Sequence, residues 1–479
     1  MPLKQSREAG KVPDKCALPC TLLSFGQGAF FCQKGTSWKT PASHFTNPLR
    51  GRNMEQHEIQ VNQKLPFLKS LPLSFQHLFA MFGSTVLVPV LFKIDPATIL
   101  FMNGIGTLLY ILITKGKIPA YLGSSFAFIS PVFAVLAKHA GLTGYSYALG
   151  GFLAVGIILV IIALIVKIAG TGWIEVVFPP AAMGAIVAVI GLQLVPTAAQ
   201  MAGLVQTDAS VKHWSPDPDT ITVSLLTLAI TVVCWVTLRG FLKIIPILIG
   251  IICGYLISLA FGIVDLKPVQ EAAWISLPTY YPIKLNWSDI MMIVPAALVI
   301  IPEHIGHLIV TGNIVKKDLT KDPGLDRSLL GNGISTILSS FVGATPNTTY
   351  GENIGVLAIT RVYSTWVIGG AAVLAIILSF CGKLAALISS IPQPVMGGIS
   401  LLLFGVIAAS GLRMLVEQKV DYGKSQNLIL TCLVLAVGLS GATINIGTAS
   451  LSGMGLATVV AIIVSLFFKL LNVLHLENE

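Results

Sequence analysis

Long apolar runs separated by short polar stretches recur from Leu71 almost to the C-terminus. A run of roughly 20 apolar residues crosses a bilayer as a helix, because backbone groups in lipid must be hydrogen-bonded within the segment. The pattern predicts an all-α integral membrane protein with about fourteen transmembrane spans. Composition agrees with this prediction, since 54% of the residues are hydrophobic and 11% are charged, whereas soluble domains carry about 25% charged residues. A water-soluble globule is therefore excluded.

The first 53 residues are polar and basic. They hold eight Lys/Arg and two Asp/Glu, which is a net +6 of the +9 carried by the whole chain. They lack the apolar run of a cleavable signal peptide. We expect residues 1–53 to be disordered or an upstream extension, with a regulatory tail as the alternative. Three of the seven cysteines lie here and the other four lie singly in apolar runs, a pattern that predicts neither a disulfide framework nor a metal cluster.

Basic residues are unevenly divided between the two sides of the predicted spans. Six lie in outer loops if the N-terminus is cytoplasmic, namely Lys93, Lys138, Lys212, Lys267, Lys284 and Lys383. Fourteen lie on the inner side, namely Lys115, Lys117, Lys167, Arg239, Lys243, Lys316, Lys317, Lys321, Arg327, Arg361, Arg413, Lys419, Lys424 and Lys469. Lys and Arg accumulate in cytoplasmic loops. An even number of spans with both termini in the cytoplasm is therefore predicted.

Two segments of the sequence recur at a similar spacing. FPPAAMGAIVAVIG from Phe178 aligns with IPQPVMGGISLLLF from Ile391, 213 residues later. GSSFAF from Gly123 aligns with TTYGEN from Thr348, 225 residues later. Chance recurrence is the alternative, because Pro and Gly are common in membrane helices. The similar offsets favour one duplication of seven spans, and an odd number of spans per copy makes the second copy inverted.

Spans 3 and 10 are predicted to be broken. Eleven residues separate Pro119 from Pro131, and as a helix they would rise about 17 Å, short of the roughly 30 Å of hydrocarbon. The GSS motif between these prolines predicts an extended lead-in and a short helix from Phe126; PNTTYG predicts the same before Gly351. A half-helix leaves its first N–H donors unpaired, and irregular backbone at this depth is tolerated where it lines a cavity. A binding site is favoured over a structural kink.

Two acidic residues, Glu303 and Glu352, are predicted to lie deep in the membrane, whereas the other nineteen of 21 fall in tails, loops or span ends. A charge at the bilayer centre costs about 2.5–3.5 kcal/mol on insertion scales and usually marks a pathway or relay. Glu303 and His307 share a helix face and can hydrogen-bond as a proton relay; a buried pair that only joins helices is the alternative. His304 points elsewhere, and the order EHxxH is not the zinc motif HExxH, so no metal site is expected.

Glu352 is predicted to begin the second half-helix. Its carboxylate can accept a ligand N–H there, while nearby backbone amides donate to ligand carbonyls. This arrangement suits a planar ring with amide and imide groups. Phe126 and Tyr350 are candidates to pack on the face of that ring, and Ser125 is a further candidate for the pocket wall. No nucleotide-binding GxxxxGK[ST] loop occurs in the sequence, which argues against an ATP-driven pump.

Several stretches of the chain carry recognisable family motifs. ENIGVLAITR begins at Glu352, and a QH pair occurs at Gln76 in the first span. PAYLGSSFAFISP, EHIGHL, IVKKDL, DPGL and TPNTTYGEN are also present. With these motifs the chain resembles the nucleobase-ascorbate transporters, also called nucleobase:cation symporters, and within them the bacterial uracil permeases. The resemblance covers about Pro66 to Leu471, so residues 1–53 have no counterpart.

The resemblance implies a 7+7 inverted repeat with a core and a gate domain. Residues 66–170 and 288–389 would form the core domain from spans 1–4 and 8–11. Residues 171–264 and 390–472 would form the gate domain from spans 5–7 and 12–14. Homodimers formed through the gate domains are implied as well.

The resemblance also implies a substrate site between spans 3, 8 and 10. The ligand contacts would be the backbone of Phe126 and Gly351 and the carboxylates of Glu303 and Glu352. His307 would assist proton coupling. Phe404 stands where the resemblance leads us to expect Tyr, so one polar contact from the gate side is in doubt, and Phe404 remains a candidate for pocket lining only.

The expected function is proton-coupled secondary active uptake of uracil across a bacterial cytoplasmic (inner) membrane by alternating access. The coupling ion is a proton, and neither a cofactor nor a nucleic-acid partner is expected. One alternative is a symporter for another base, such as xanthine or urate. A second alternative is an anion exchanger or channel of the same fold, but the two carboxylates argue against an anion pathway. An intramembrane enzyme is a third, against which the lack of a further nucleophile-base pair argues.

Overall fold

The computed structural model describes residues 58–139, 141–206, 214–446 and 449–476. The expected extension over residues 1–53 lies outside these ranges. Within them, eight helices are long and apolar enough to cross a membrane, and four shorter helices are also apolar. Leu325–Val342 and the half-helix Gly351–Thr360 bring the number of spans to fourteen, as predicted.

The helical parts of spans 1 to 14 follow in chain order. They are Phe67–Phe92, Pro96–Ile113, Phe126–Lys138, Gly141–Ala169, Pro180–Met201, Pro218–Thr237, Pro246–Ala260, Trp287–Val315, Leu325–Val342, Gly351–Thr360, Thr365–Ser379, Gln393–Glu417, Ser425–Leu439 and Gly453–Val473. Span 1 is interrupted at Met81 and span 8 at Val294. Short helices or helical turns at Gly172–Val177, Gly240–Ile244, Lys267–Glu271, Thr320–Gly324 and Gly382–Ser389 lie between spans. Strands Thr443–Ile446 and Ala449–Ser452 form a hairpin before span 14.

Asp-Pro pairs mark where two of the spans begin. The Asp95 side chain accepts a hydrogen bond from Ala97 N at 2.9 Å, and that of Asp217 accepts one from Thr220 N at 3.2 Å. Aspartate caps the free N–H groups of a helix start, and proline fits the first helical position because it has no N–H to satisfy. At each of these points one backbone donor of the first helical turn is therefore satisfied by the aspartate.

The two broken spans meet through a short antiparallel sheet. Strand β1, Leu122–Ser124, precedes the helix of span 3, and strand β2, Asn347–Thr349, precedes that of span 10. Gly123 pairs with Thr348, the two residues that head the aligned sequence segments. The predicted extended lead-ins are thus confirmed. They also satisfy one another's backbone groups, which lipid would leave unpaired.

The helices pack in two groups. Spans 4 and 9 pack along each other, as do spans 2 and 11, and spans 1 and 11. In the other group, span 5 packs along spans 12 and 13, span 6 along spans 7 and 12, and span 13 along span 14. Spans 5 and 12 approach closely because Gly184 faces Gly411: a Cβ built on Gly411 would lie 2.6 Å from the carbonyl oxygen of Gly184. Small residues at such crossings let helix backbones touch.

Candidate functional site

A cavity of about 290 Å³ lies where the two helix groups face each other. Spans 1, 3, 5, 8, 10 and 12 contribute to its wall, together with the end of span 6 and the segment that leads into span 7. Six of the predicted residues line it, namely Phe126, Glu303, His307, Tyr350, Gly351 and Glu352. Its volume is near the lower end of the range for small-molecule sites, about 300–1,000 Å³. A ligand with a single small ring fits this size.

The half-helix of span 10 points its N-terminus at the cavity. The helix starts at Gly351, and no side chain in the described part of the chain caps its first turn. The first N–H groups of a helix have no partner within it, so the Gly351 amide is available as a donor, and the helix dipole adds partial positive charge there. Glu352 is the second residue of this helix. One short segment therefore presents a backbone donor and a carboxylate acceptor side by side.

The broken span 3 contributes an aromatic wall. The ring of Phe126 lies edge-on to that of Tyr350, with centroids 5.8 Å apart. The Tyr350 hydroxyl donates to the carbonyl of Ser124, which ties the start of the second half-helix to the strand of the first. A Cβ on Gly123 would lie 2.7 Å from Cε2 of Tyr350, so only glycine leaves room for this ring.

Glu303 and His307 both lie on the cavity side of span 8, but they do not form the predicted hydrogen bond. Glu303 Oε2 is buried without a partner among the described residues. His307 Nδ1 instead lies 3.3 Å from Thr349 Oγ1, in the strand before span 10. Spacing along one helix indicated a shared face but could not reveal the hydroxyl arriving from another span. Glu303 therefore lines the cavity and keeps one buried carboxylate oxygen, Oε2, without a partner among the described residues.

Ser125 and Phe404 do not line the cavity. Ser125 is buried, and its hydroxyl oxygen accepts from Ala127 N at 3.4 Å, where it caps the first turn of span 3. Phe404 is fully buried, with its ring centroid 6.1 Å from that of Phe126. It supports the aromatic wall from behind. An apolar ring suits this position, since a hydroxyl there would need a buried partner.

Sequence reasoning missed part of the cavity wall. Thr348 and Thr349 line it, and their place in the TPNTTYGEN stretch was the available signal. Lys243 and Arg413 also line it. Lys243 lies between spans 6 and 7, and Arg413 lies about one turn before the end of span 12, so the cavity reaches from the carboxylates toward one membrane face.

Span 1 contacts the second half-helix through a motif residue. His77 Nδ1 lies 2.5 Å from Asn353 Oδ1, and both side chains are buried. This hydrogen bond fixes the rotation of the half-helix that carries Glu352. The QH motif thus contributes to the site by holding the helix that carries Glu352.

The donor and acceptor pattern suits a neutral, planar ligand. Backbone amides at the span 10 half-helix offer donors, and two carboxylates offer acceptors. Such a set matches a ring that presents N–H groups beside carbonyl oxygens. Over the described ranges, no three His, Cys, Asp or Glu side chains come together as a metal site requires.

Comparison with known proteins gives a consistent picture. The profile of a family described as the Permease family matches residues 68–447. A uracil permease of Paenibacillus larvae subsp. larvae is 65% identical over 426 residues, covering 89% of this chain and 100% of that protein. A uracil permease of Escherichia coli K12 is 62% identical over 425 residues, covering 89% and 97%. One of Bacillus subtilis is 50% identical over 406 residues, covering 82% and 91%.

Solved structures with a similar fold are more distant in sequence. The transmembrane domain of the cyanobacterial bicarbonate transporter BicA superposes with a TM-score of 0.58 at 13% identity, covering 85% of this chain and 100% of that one. The murine Slc26a9 anion transporter in its inward-facing state gives 0.64 at 10% identity, covering 86% and 69%. Such low identities inform on the fold alone. The predicted 7+7 inverted repeat is confirmed by this likeness.

Proposed function

Because this chain belongs to the permease family, we propose that it imports uracil in symport with protons. It is a multi-pass membrane transporter and not an enzyme. The observation that carries the proposal is the pairing of two carboxylates with a free helix N-terminus in one small cavity. Uracil presents two N–H groups and two carbonyl oxygens around one ring, which is the complement of that set. The names of the similar proteins support the same substrate.

Each side chain has a distinct role in the proposed complex. Glu352 accepts a ring N–H, and the amide of Gly351 donates to the neighbouring carbonyl, with the backbone of Phe126 opposite. Glu303, whose Oε2 has no partner in the described structure, accepts a second N–H and carries the coupling proton. His307 exchanges that proton with Glu303 across the cavity. A buried carboxyl group is suited to this exchange because it is less costly to bury when protonated.

Transport proceeds in this proposal by alternating access. The core domain, spans 1–4 and 8–11, holds the ligand and moves against the gate domain, spans 5–7 and 12–14. The two helix groups and their close Gly184–Gly411 crossing within the second group support this division. Both termini are cytoplasmic in this proposal, which puts Lys243 and Arg413 on the cytoplasmic side of the cavity. Two copies associate through their gate domains.

Uptake into proteoliposomes tests the function. Labelled uracil is supplied outside under an imposed gradient, acidic outside, with unlabelled thymine, xanthine or cytosine as competitors. Concentrative uptake should vanish when the gradient is dissipated. Cytosine should compete poorly because it lacks one ring N–H and one carbonyl of uracil. Glu303→Gln should still bind uracil yet lose gradient-driven accumulation, while the exposed Glu175→Gln should behave as wild type.

Two results would contradict the proposal. Concentrative uptake that survives loss of the gradient would exclude proton coupling. If xanthine competed far more strongly than uracil, the proposed substrate would be wrong, but the protein would still be a transporter of the same class.

A further inference from the structure

A continuous file of hydrogen-bonding side chains leads away from the cavity through the protein interior. It starts at His307, whose Nδ1 lies 3.3 Å from Thr349 Oγ1, and Thr349 Oγ1 lies 3.3 Å from His304 Nδ1. On the other side of the ring, His304 Nε2 lies 2.8 Å from Ser328 Oγ. Ser328 Oγ lies 2.6 Å from the hydroxyl of Tyr110. We call these five residues the hydroxyl-imidazole file.

The file connects the cavity to the neighbourhood of one membrane face. His307 and Thr349 line the cavity, whereas His304, Ser328 and Tyr110 are fully buried. Tyr110 is three residues from the end of span 2, and Ser328 is in the first turn of span 9. The far end is therefore about one helical turn, roughly 5.4 Å, from the loops.

The loops and the first turn of span 9 carry the charged groups near the far end of the file. Lys117 Nζ lies 2.7 Å from Asp322 Oδ2. Arg327 Nη1 donates to the carbonyl of Ile113 at 3.4 Å. The loops are on the side whose basic residues predict the cytoplasm.

The file differs from the other buried hydroxyls nearby. Ser340 bonds the carbonyl of Thr336, and Thr311 bonds that of His307, each within its own helix. Those bonds satisfy each hydroxyl within its own helix and do not connect different spans. In the file, every link joins side chains of different spans: span 8 to the strand of span 10, back to span 8, then to span 9 and span 2. A wholly local role does not require such continuity.

Each member of the file can accept one proton while donating another. A hydroxyl has one donor and two acceptor positions, and a neutral imidazole donates from one nitrogen and accepts at the other. His307 Nε2 lies 3.5 Å from where a Cβ on Gly351 would stand, so that nitrogen faces the cavity and can be refilled there. The file thus has an entrance on the ligand side.

We propose that the hydroxyl-imidazole file releases the coupling proton toward the face of Lys117 and Asp322, along a path separate from the one that uracil takes. The proposal rests on the proton symport inferred above. Lys243 and Arg413 at the cavity mouth are cations that disfavour the passage of a positive charge. A second exit lets uracil and the proton leave without sharing that mouth.

The transfer conserves protons at every atom. His307 passes its Nδ1 proton to Thr349, and Thr349 passes its hydroxyl proton to His304 Nδ1. His304 passes its Nε2 proton to Ser328, and Ser328 passes its own to Tyr110. Tyr110, which is buried in this state, passes its hydroxyl proton to water when the end of span 2 is hydrated. One proton enters at His307 Nε2 from the cavity and one leaves at Tyr110, and both imidazoles then stand in their other neutral tautomer. Reorientation of the hydroxyls and of the two imidazole rings restores the start without a further change in the number of protons.

The decisive variants are a matched pair at Ser328. Ser328→Thr retains the hydroxyl, while Ser328→Val has nearly the same shape as Thr without it. Both are measured in proteoliposomes containing a trapped pH dye, for uracil-driven internal acidification and for exchange of labelled against unlabelled uracil. Exchange needs the substrate site but no net proton release, so it reports folding and binding.

Ser328→Val should lose acidification by roughly 10²-fold, the scale of a positioned proton-transfer group, while its exchange stays at the rate of Ser328→Thr. Tyr110→Phe should show the same split, and Ser340→Ala should match wild type in both assays. Wild-type acidification in Ser328→Val or Tyr110→Phe overturns the file as a proton path. If the wild-type protein itself does not acidify the lumen, the proton symport fails instead.

Discussion

Replacing Glu352 by Gln isolates the contribution of its charge to ligand binding. The side chain is partly buried and lies at the start of the span 10 half-helix, in the wall of the cavity. Gln has the same shape, but its oxygen is neutral and its NH2 group opposes a ligand donor. A hydrogen bond to a charged group contributes about 1.5–3 kcal/mol, and 1.4 kcal/mol is tenfold in affinity. We expect the dissociation constant for uracil to rise about 10- to 100-fold.

Calorimetry or a scintillation proximity assay on the purified protein measures this change. Glu175→Gln, the same substitution on an exposed residue outside the cavity, is the control and should bind as wild type. The thermal midpoint of Glu352→Gln should not fall, because a neutral side chain is less costly to bury than a carboxylate. An unchanged dissociation constant in a folded Glu352→Gln protein would refute the assigned role of this carboxylate.

Three further substitutions test the packing around the site. Gly411→Ala should lower the thermal midpoint of unfolding, because overpacking costs about 1–3 kcal/mol. The control Gly405→Ala lies on the same helix, where the new methyl group meets no atom within 4 Å, and it should leave the midpoint unchanged or raise it. Equal midpoints for the two variants would contradict the close crossing. Gly351→Ala should fold normally, since its methyl group makes only ordinary contact, yet bind uracil more weakly in the same assay; full affinity would place the ligand elsewhere. Asp289→Asn should destabilise the protein by about 1–2 kcal/mol, because buried Asp289 accepts a hydrogen bond from Lys138 at 2.7 Å. The loss stays this small because the half-exposed Lys138 can return to water. An unchanged midpoint in thermal unfolding would contradict this expectation.

The spans and their breaks were predictable because their causes are local. Bilayer thickness sets the length of an apolar run, and the spacing from Pro119 to Pro131 is too short for a full helix. The cost of burying charge singled out Glu303 and Glu352 in the same way. Each of these arguments needs only the chain near the residue concerned.

Contacts between distant segments could not be predicted in this way. The i, i+4 spacing put His307 on the face of Glu303, but its partner is Thr349, which arrives from a strand 42 residues away. Lys243 and Arg413 carried no signal beyond their place in basic loops, yet both line the cavity. Span 9 is less apolar than its neighbours because it carries buried Ser and Asn side chains. Ser328 bonds to spans 2 and 8, and Ser335 bonds to Asn347 before span 10, so these partners come from distant parts of the chain.

The joined strands also bear on how the two halves of such a chain can evolve. Gly123 belongs to the first repeat and Tyr350 to the second, and any side chain at position 123 would collide with the tyrosine ring. A side chain at position 123 is therefore tolerated only after Tyr350 has been replaced by a smaller residue, although the two codons lie in different copies of the ancestral unit. The duplicated halves cannot drift apart independently here, and paired substitutions at 123 and 350 are expected among descendants that acquire a different ligand.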